Sequence, residues 1–296
     1  MKEDGSVITW GSAFSGGDAS AVEVELTSVQ QLFGNNRAFA ALKDNGSVIT
    51  WGEAYSGGDS SAVEEELTGV QQIFSNRGAF AALKADGSVV TWGMNEHGGD
   101  SSDVKHELTS VQKIFSNENA FAALKVDGSV ITWGDRSAGG DSSAVKEELT
   151  SVQQIFGNGG TEEHGPAFAA LKDDGSVITW GNGECGGDSS AVKEDLTSVQ
   201  QIVSTLSAFA ALKADGSVIT WGEESERLSS AMKEELTGVR QIFASDYAFA
   251  ALKADGSVIT WWCGAFGREL GGDSSAVKEE LTGGVEQIFS SGGFFA

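Results

Sequence analysis

The chain has 296 residues and a formal net charge of −24, from 43 acidic and 19 basic side chains. That balance disfavours nucleic acid and anionic membrane surfaces, which are held by clustered Lys and Arg. A hydrophobic fraction of 40% argues against a disordered chain, and no apolar run approaches the roughly 20 residues of a membrane-spanning helix.

In chain order, the first recognisable element is Asp4-Gly5-Ser6-Val7-Ile8-Thr9-Trp10. Its tryptophan recurs at Trp51, Trp92, Trp133, Trp180, Trp221 and Trp261, at intervals of 41, 41, 41, 47, 41 and 40 residues. The long interval comes from an insertion at Gly160 to Pro166. A fixed period of this size marks a repeat architecture.

Each repeat reads as strands and turns. Val70-Gln71-Gln72-Ile73-Phe74 is one strand, Ala79-Phe80-Ala81-Ala82-Leu83-Lys84 a second, and Ser88-Val89-Val90-Thr91-Trp92 a third. Asp86-Gly87 between the last two suggests a two-residue type I′ hairpin turn, in which both residues take positive φ. Strands this apolar on both faces suit a sheet covered on both sides. The segment after the Gly-Gly-Asp turn, such as Asp141-Ser142-Ser143-Ala144-Val145-Lys146-Glu147-Glu148-Leu149, fits either a capped helical turn or a charged outer strand.

The two ends match complementary parts of one repeat: Met1 to Gly5 matches Leu83 to Gly87, and Phe294-Phe295-Ala296 matches Ala79-Phe80-Ala81. The expected fold is therefore all-β. It is a single domain, 1–296, forming a closed seven-bladed β-propeller of about 41 residues per blade, with the last blade completed by the N-terminal strand.

The phrase Ala-Leu-Lys-x-Asp-Gly-Ser-Val-Ile-Thr-Trp-Gly, followed by a turn such as Gly98-Gly99-Asp100, resembles the repeats of the RCC1-like propellers (regulator of chromosome condensation) over essentially the whole chain. The short unit is similar to that of β-lactamase inhibitory protein II. The resemblance implies a binding propeller, and the family spans exchange factors, parts of ubiquitin ligases and an inhibitor; fold alone does not choose among them. Here Gly-Gly-Asp-Ser-Ser replaces the family's usual Gly-Gln-Leu-Gly turn, and Ala-Phe-Ala-Ala stands where a His often opens the strand.

Strand parity places the loop after Phe74 and the loop after Trp92 on one face. The post-Trp loops carry Phe14, Tyr55, His97, Arg136, Glu184, Arg227 and Phe266. The partner loops carry Arg37, Arg77, Asn119, Glu162, His164, Leu206 and Tyr247, and Trp262 lies outside the pattern in the enlarged last loop. Aromatic and Arg side chains are those enriched at interface hot spots. Phe14, Arg37, Tyr55, Arg77, His97, Arg136, Leu206, Arg227, Tyr247, Trp262 and Phe266 are thus the candidate partner-binding residues. Neutral variation of lightly packed loops is the competing reading. The seven repeated tryptophans read instead as packing between blades, and the Asp of each Gly-Gly-Asp as a turn or cap, since a calcium site needs several converging oxygens.

No two-His zinc spacing, phosphate-binding Gly-Lys-Ser/Thr loop or Gly-x-Ser-x-Gly elbow is present. No catalytic residue, metal or cofactor is expected. The expected role is a non-catalytic protein-binding module, a scaffold or inhibitor, with a small-ligand or carbohydrate-binding propeller as the alternative and an exchange-factor or ubiquitin-ligase-associated domain as a further one. The acidic balance leaves open a partner with a basic surface. The chain is expected to be a monomer, with no membrane or nucleic-acid partner. Two cysteines, Cys185 and Cys263, make no disulfide framework. With no apolar signal region at the N-terminus, they favour a soluble, intracellular (cytoplasmic) setting.

Overall fold

The computed structural model describes residues 1–161, 163–223, 225, 230–263 and 267–296. The middle and last apolar segments of each repeat pair as expected. In the second repeat, β4 (Val70–Ser75), β5 (Ala79–Lys84) and β6 (Val89–Gly93) form an antiparallel sheet in the order β4-β5-β6. Every residue of β5 but Lys84 is buried, because alternate side chains face opposite neighbours and both faces are covered. Each first strand carries a register irregularity near its start, between Val70 and Gln72 in this repeat, consistent with a β-bulge.

The same sheet recurs as β1–β3 (Val29–Gly34, Ala38–Lys43, Val48–Gly52) and β7–β9 (Val111–Ser116, Ala120–Lys125, Val130–Gly134). These three sheets lie in a compact unit spanning Met1–Ala144. A second unit, Val145–Ala296, holds β10–β12 (Val152–Gly157, Ala167–Lys172, Val177–Gly181), β13–β15 (Val199–Ser204, Ala208–Lys213, Val218–Gly222) and β16–β18 (Val239–Ala244, Ala248–Lys253, Val258–Trp262). It also holds a two-stranded sheet of β19 (Ser290–Ser291) and β20 (Phe294–Phe295). These repeated three-stranded antiparallel modules make the chain all-β, and each has the form of a propeller blade. The N-terminal segment Val7–Trp10, expected to complete the last blade, lies in no strand, and Trp10 is 84% exposed.

The hydrophobic core lies between successive sheets. Ala38, Ala40, Leu42 and Val48 of the first pack with Leu67, Ile73, Phe80 and Trp92 of the second. Ala79, Ala81 and Leu83 of the second pack with Leu108, Ile114, Phe121 and Trp133 of the third. Each large side chain so buried contributes about 1.5–3 kcal/mol. Within each sheet, the Phe of the middle strand faces the Trp of the last: Phe80 and Trp92 are register partners whose rings stack with centroids 5.2 Å apart.

The Gly-Gly-Asp-Ser-Ser turn exists to serve that stack. Gly57 has φ of 95°, lies against the Phe80 ring and Trp92 of the next repeat, and accepts the Trp92 indole N–H at 3.1 Å. A Cβ on Gly58 would sit 2.5 Å from the backbone of Gly52. Asp59 Oδ1 accepts the Ser61 N–H, and Ser60 Oγ bonds Thr50 Oγ1 at 2.9 Å. Hydrogen bonding from the backbone of the following Ser, led by the Ser102 N–H at Asp100, holds these carboxyls below their usual range. The turn-or-cap reading of these Asp residues therefore matches their bonding.

Two local details are settled or corrected. The segment after this turn is a helical turn, as at Glu64–Glu66, Ser190–Val192 and Ser275–Val277, and the equivalent segment between β15 and β16 is a helix, α1 (Ser230–Glu235). The hairpin is not type I′. Gly87 N donates to Lys84 O and Lys84 N to Ser88 O, with only Gly87 at positive φ. This is a three-residue loop with a terminal left-handed Gly. Asp86 Oδ1 accepts both the backbone N–H and the hydroxyl of Ser88, which supports the longer loop.

Gly98→Ala would add a Cβ 2.8 Å from the Phe121 ring at a φ of 90°. It is expected to cost about 2–3 kcal/mol. Ser110 holds a φ of 56° where the equivalent residue of another repeat is Gly69, so Ser110→Gly is expected to gain up to about 1 kcal/mol. Urea unfolding of the two variants checks the opposite signs.

Candidate functional site

In four repeats the two variable loops are hydrogen-bonded to each other, on the one face that strand parity gives them. An Asn opening the first loop makes the join. Asn76 Nδ2 donates to His97 O at 2.7 Å, while its Oδ1 accepts the N–H groups of Gly78 and Ala79. Asn35 reaches Ser56 O, Asn117 reaches Ala138 O and Asn158 reaches Cys185 O, each at 2.7 Å. Sequence reading passed over these Asn residues; their signal was recurrence at one position in four repeats. The fifth and sixth repeats carry Thr205 and Ser245 there, which cap Ala208 and Ala248.

In the first unit these joined loops form a connected strip. The Arg37 guanidinium lies over the Phe14 ring, 5.7 Å from its centroid, at the separation of a cation–π contact. Glu53 accepts the Ser56 N–H; that bond holds its carboxyl below its usual range, with the charge of Arg37 a smaller contribution. Tyr55 donates to Glu96 of the next repeat at 3.2 Å, and the Glu96 charge, then this bond, raises the phenol. Arg77 N donates to Glu118 O at 3.2 Å, and the side chains of the same pair lie 3.7 Å apart. Arg136, 3.6 Å from Asp141, ends the strip with an 87% exposed side chain.

Phe14 and Tyr55 are 61% and 56% exposed, and the stacked Phe80 and Trp92 beneath the Tyr55 loop are buried. The strip's three arginines stand among five carboxylates, Glu53, Glu96, Glu118, Asp135 and Asp141. It is mildly acidic, with both signs of charge interspersed, in a chain of net −24. His97, within this strip, is half-buried.

The second unit presents its candidates differently. Leu206 is half-buried and fixed by backbone bonds, accepting from Gly160 N and donating to Asp246 O. Tyr247 is half-buried. Trp262 occupies the position where other repeats have a positive-φ Gly, and it packs against the Gly267–Gly272 turn. It is a half-buried packing residue of this turn. Arg227, Phe266 and Glu162 lie outside the described residues. Glu184 is exposed, and a cleft of about 540 Å³ beside it is lined by Asn182, Asp188, Val192, Trp221 and Lys233. Trp221 is 2% exposed, so the cleft offers an indole edge and no stacking platform.

Among the described residues no group of three or more His, Cys, Asp or Glu is placed to hold a metal ion. Burial, reinforced by the charge of Glu223, pushes the Cys185 thiol up to about 11, so it is not a reactive thiolate at neutral pH.

No family model and no curated protein matches the chain. Among solved structures it is similar to Prp20p from Saccharomyces cerevisiae, described with its binding to Gsp1p and histones, at 16% identity and a TM-score of 0.46, over 93% of this chain and 82% of that one. It is similar to human WBSCR16 at 15% identity and a TM-score of 0.44, over 80% and 79%. The ectodomain of the Arabidopsis thaliana receptor kinase ACR4 matches at 16% identity and a TM-score of 0.43, over 82% and 85%.

Adjacent residues on the strip should separate scaffold from surface. Asn117→Ala removes three hydrogen bonds at a buried site and is expected to cost about 2–3 kcal/mol. Glu118→Gln breaks only an exposed pair and is expected to cost less than about 1 kcal/mol. Thermal unfolding of both variants checks the contrast.

Proposed function

We propose that the chain is a non-catalytic protein-binding module that engages its partner through the loop strip running from Phe14 to Arg136. The observation that carries this reading is the contrast within one repeat. Phe80 and Trp92, which pack, are nearly fully buried, while Tyr55, on the loop whose Gly57 lies against them, is held open to solvent and bonded to Glu96; Phe14, beside the exposed Trp10, is held under the Arg37 guanidinium. Pre-formed aromatic and Arg groups bind with little ordering cost. Neutral loop variation would not require neighbouring repeats to be linked side chain to side chain across the same strip.

The interspersed charges of the strip, arginines among a slight excess of carboxylates, suit a partner surface of mixed polarity. The net charge of the chain acts at longer range, favouring the approach of a basic protein and opposing that of nucleic acid. A carbohydrate-binding role has less support, because the aromatic groups that could stack on a sugar do not recur around the repeats and Trp221 is closed off in its cleft.

The combined substitution of Phe14, Tyr55 and Arg77 by Ala tests the reading in affinity capture from a lysate of the source cells. The expected result is loss of the proteins captured by the wild type, with unfolding changed by only about 0.5 kcal/mol per site. Retention of the same partners by a folded variant would overturn the assignment.

A further inference from the structure

The His97 ring is seated differently from every other side chain of the strip. A Cβ placed on Gly78 would fall 2.5 Å from His97 Nδ1 and 2.7 Å from Met94 Sδ. The imidazole and the thioether therefore fill the notch that the missing side chain leaves. The seat is tied on both sides: Asn76 Nδ2 bonds His97 O at 2.7 Å, and Met94 N donates to Gly78 O at 2.9 Å. Nδ1 itself is buried and has no hydrogen-bond partner among the described residues. An imidazole protonated on Nε2 fits this seat, with Nδ1 left as a bare acceptor. An imidazolium does not, because its second N–H would point into the notch with nothing to accept it.

We propose that His97 is a pH-sensitive latch, whose neutral ring holds the Arg77–Gly78 loop in place and whose protonation releases it. Its consequence for partner binding rests on the function proposed above; its geometry does not. The charged groups that influence the ring are Arg77 on the loop before β5, Glu96 beside it, Glu118 on the loop before β8 and Asp135 after β9. Burial and then Arg77 disfavour the cation, the three carboxylates oppose them, and the balance lowers the histidine below its ordinary value. The sign follows: the seat is fully held above about pH 6.5, the unfolded value, and is lost as pH falls from there through the lower folded value. Release frees the backbone that carries Arg77, so acid weakens binding through the strip.

Nuclear magnetic resonance of the free protein between pH 7.5 and 5 tests this without any partner, so failure of the latch and failure of the binding reading are separate outcomes. The His97 ring carbons are expected to titrate below the midpoint of the urea-unfolded chain, and the Gly78 and Arg77 amides to move with that same midpoint. Gly78→Ala, which fills the notch, should return His97 to the unfolded midpoint, and His97→Gln should abolish the movement of the Gly78 amide. A wild-type His97 midpoint equal to the unfolded one, or Gly78 and Arg77 amides that do not follow it, overturns the proposal.

Discussion

The structure depends on one recurring contact: a Phe–Trp stack in each three-stranded sheet, pressed at Trp51, Trp92, Trp133 and Trp221 by a positive-φ glycine of the preceding repeat. Phe80 and Trp92 show all its parts. The rings face each other across a hairpin, Gly57 lies against both, and the Trp92 indole N–H is satisfied by Gly57 O. The same indole bond joins Trp51 to Gly16, Trp133 to Gly98 and Trp221 to Gly186. One residue type at one position thus joins packing within a sheet to packing between sheets. Any side chain there meets both a clash and a strained backbone.

This contact leaves the outer ends of the repeats unconstrained. In four repeats the Asn that opens the first loop takes up the local backbone donors and ties the loop to its neighbour, so the side chains of the next one or two residues are not needed for that tie. Those are the positions of Arg37, Arg77 and Glu118, and the post-Trp tips are Phe14, Tyr55 and His97. Repeats that are nearly identical in their strands can therefore carry different side chains on a rigid base, the arrangement a recognition surface needs. The lysines show the opposite assignment. Lys43, Lys84 and Lys125 each donate to a backbone carbonyl of the charged turn, Glu25, Glu66 and Glu107, and serve the scaffold.

Most of the blade could be read from the sequence because its determinants are local. The apolar Ala-Phe-Ala-Ala-Leu run, the Asp-Gly hairpin and the β-branched strand before Trp each specify themselves within a few residues. The hairpin type was misjudged because Asp86 turns its carboxylate onto Ser88, a side-chain preference that competes with the backbone rule. Gly-Gly-Asp read only as a turn, since its main contact, with the aromatic stack of the following repeat, lies 23 residues from Gly57 at Phe80. The charged turns were ambiguous because three or four residues support either conformation. Of the candidate site, the first-unit residues are gathered into one strip. Leu206, Tyr247 and Trp262 are more deeply seated, since backbone bonds and the enlarged Gly267–Gly272 turn occupy the space around them. Their exposure depended on loop paths that composition does not encode.

Hydrogen exchange of individual tryptophan indoles measures the central contact directly. The indole N–H groups of Trp51, Trp92, Trp133 and Trp221 are buried and bonded to glycine carbonyls. They are predicted to exchange only through opening of the packed sheets, orders of magnitude more slowly than the backbone amides of the exposed tips at Phe14 and Tyr55. Indoles that exchange as fast as those loop amides, in a protein with intact β-structure, would contradict the account.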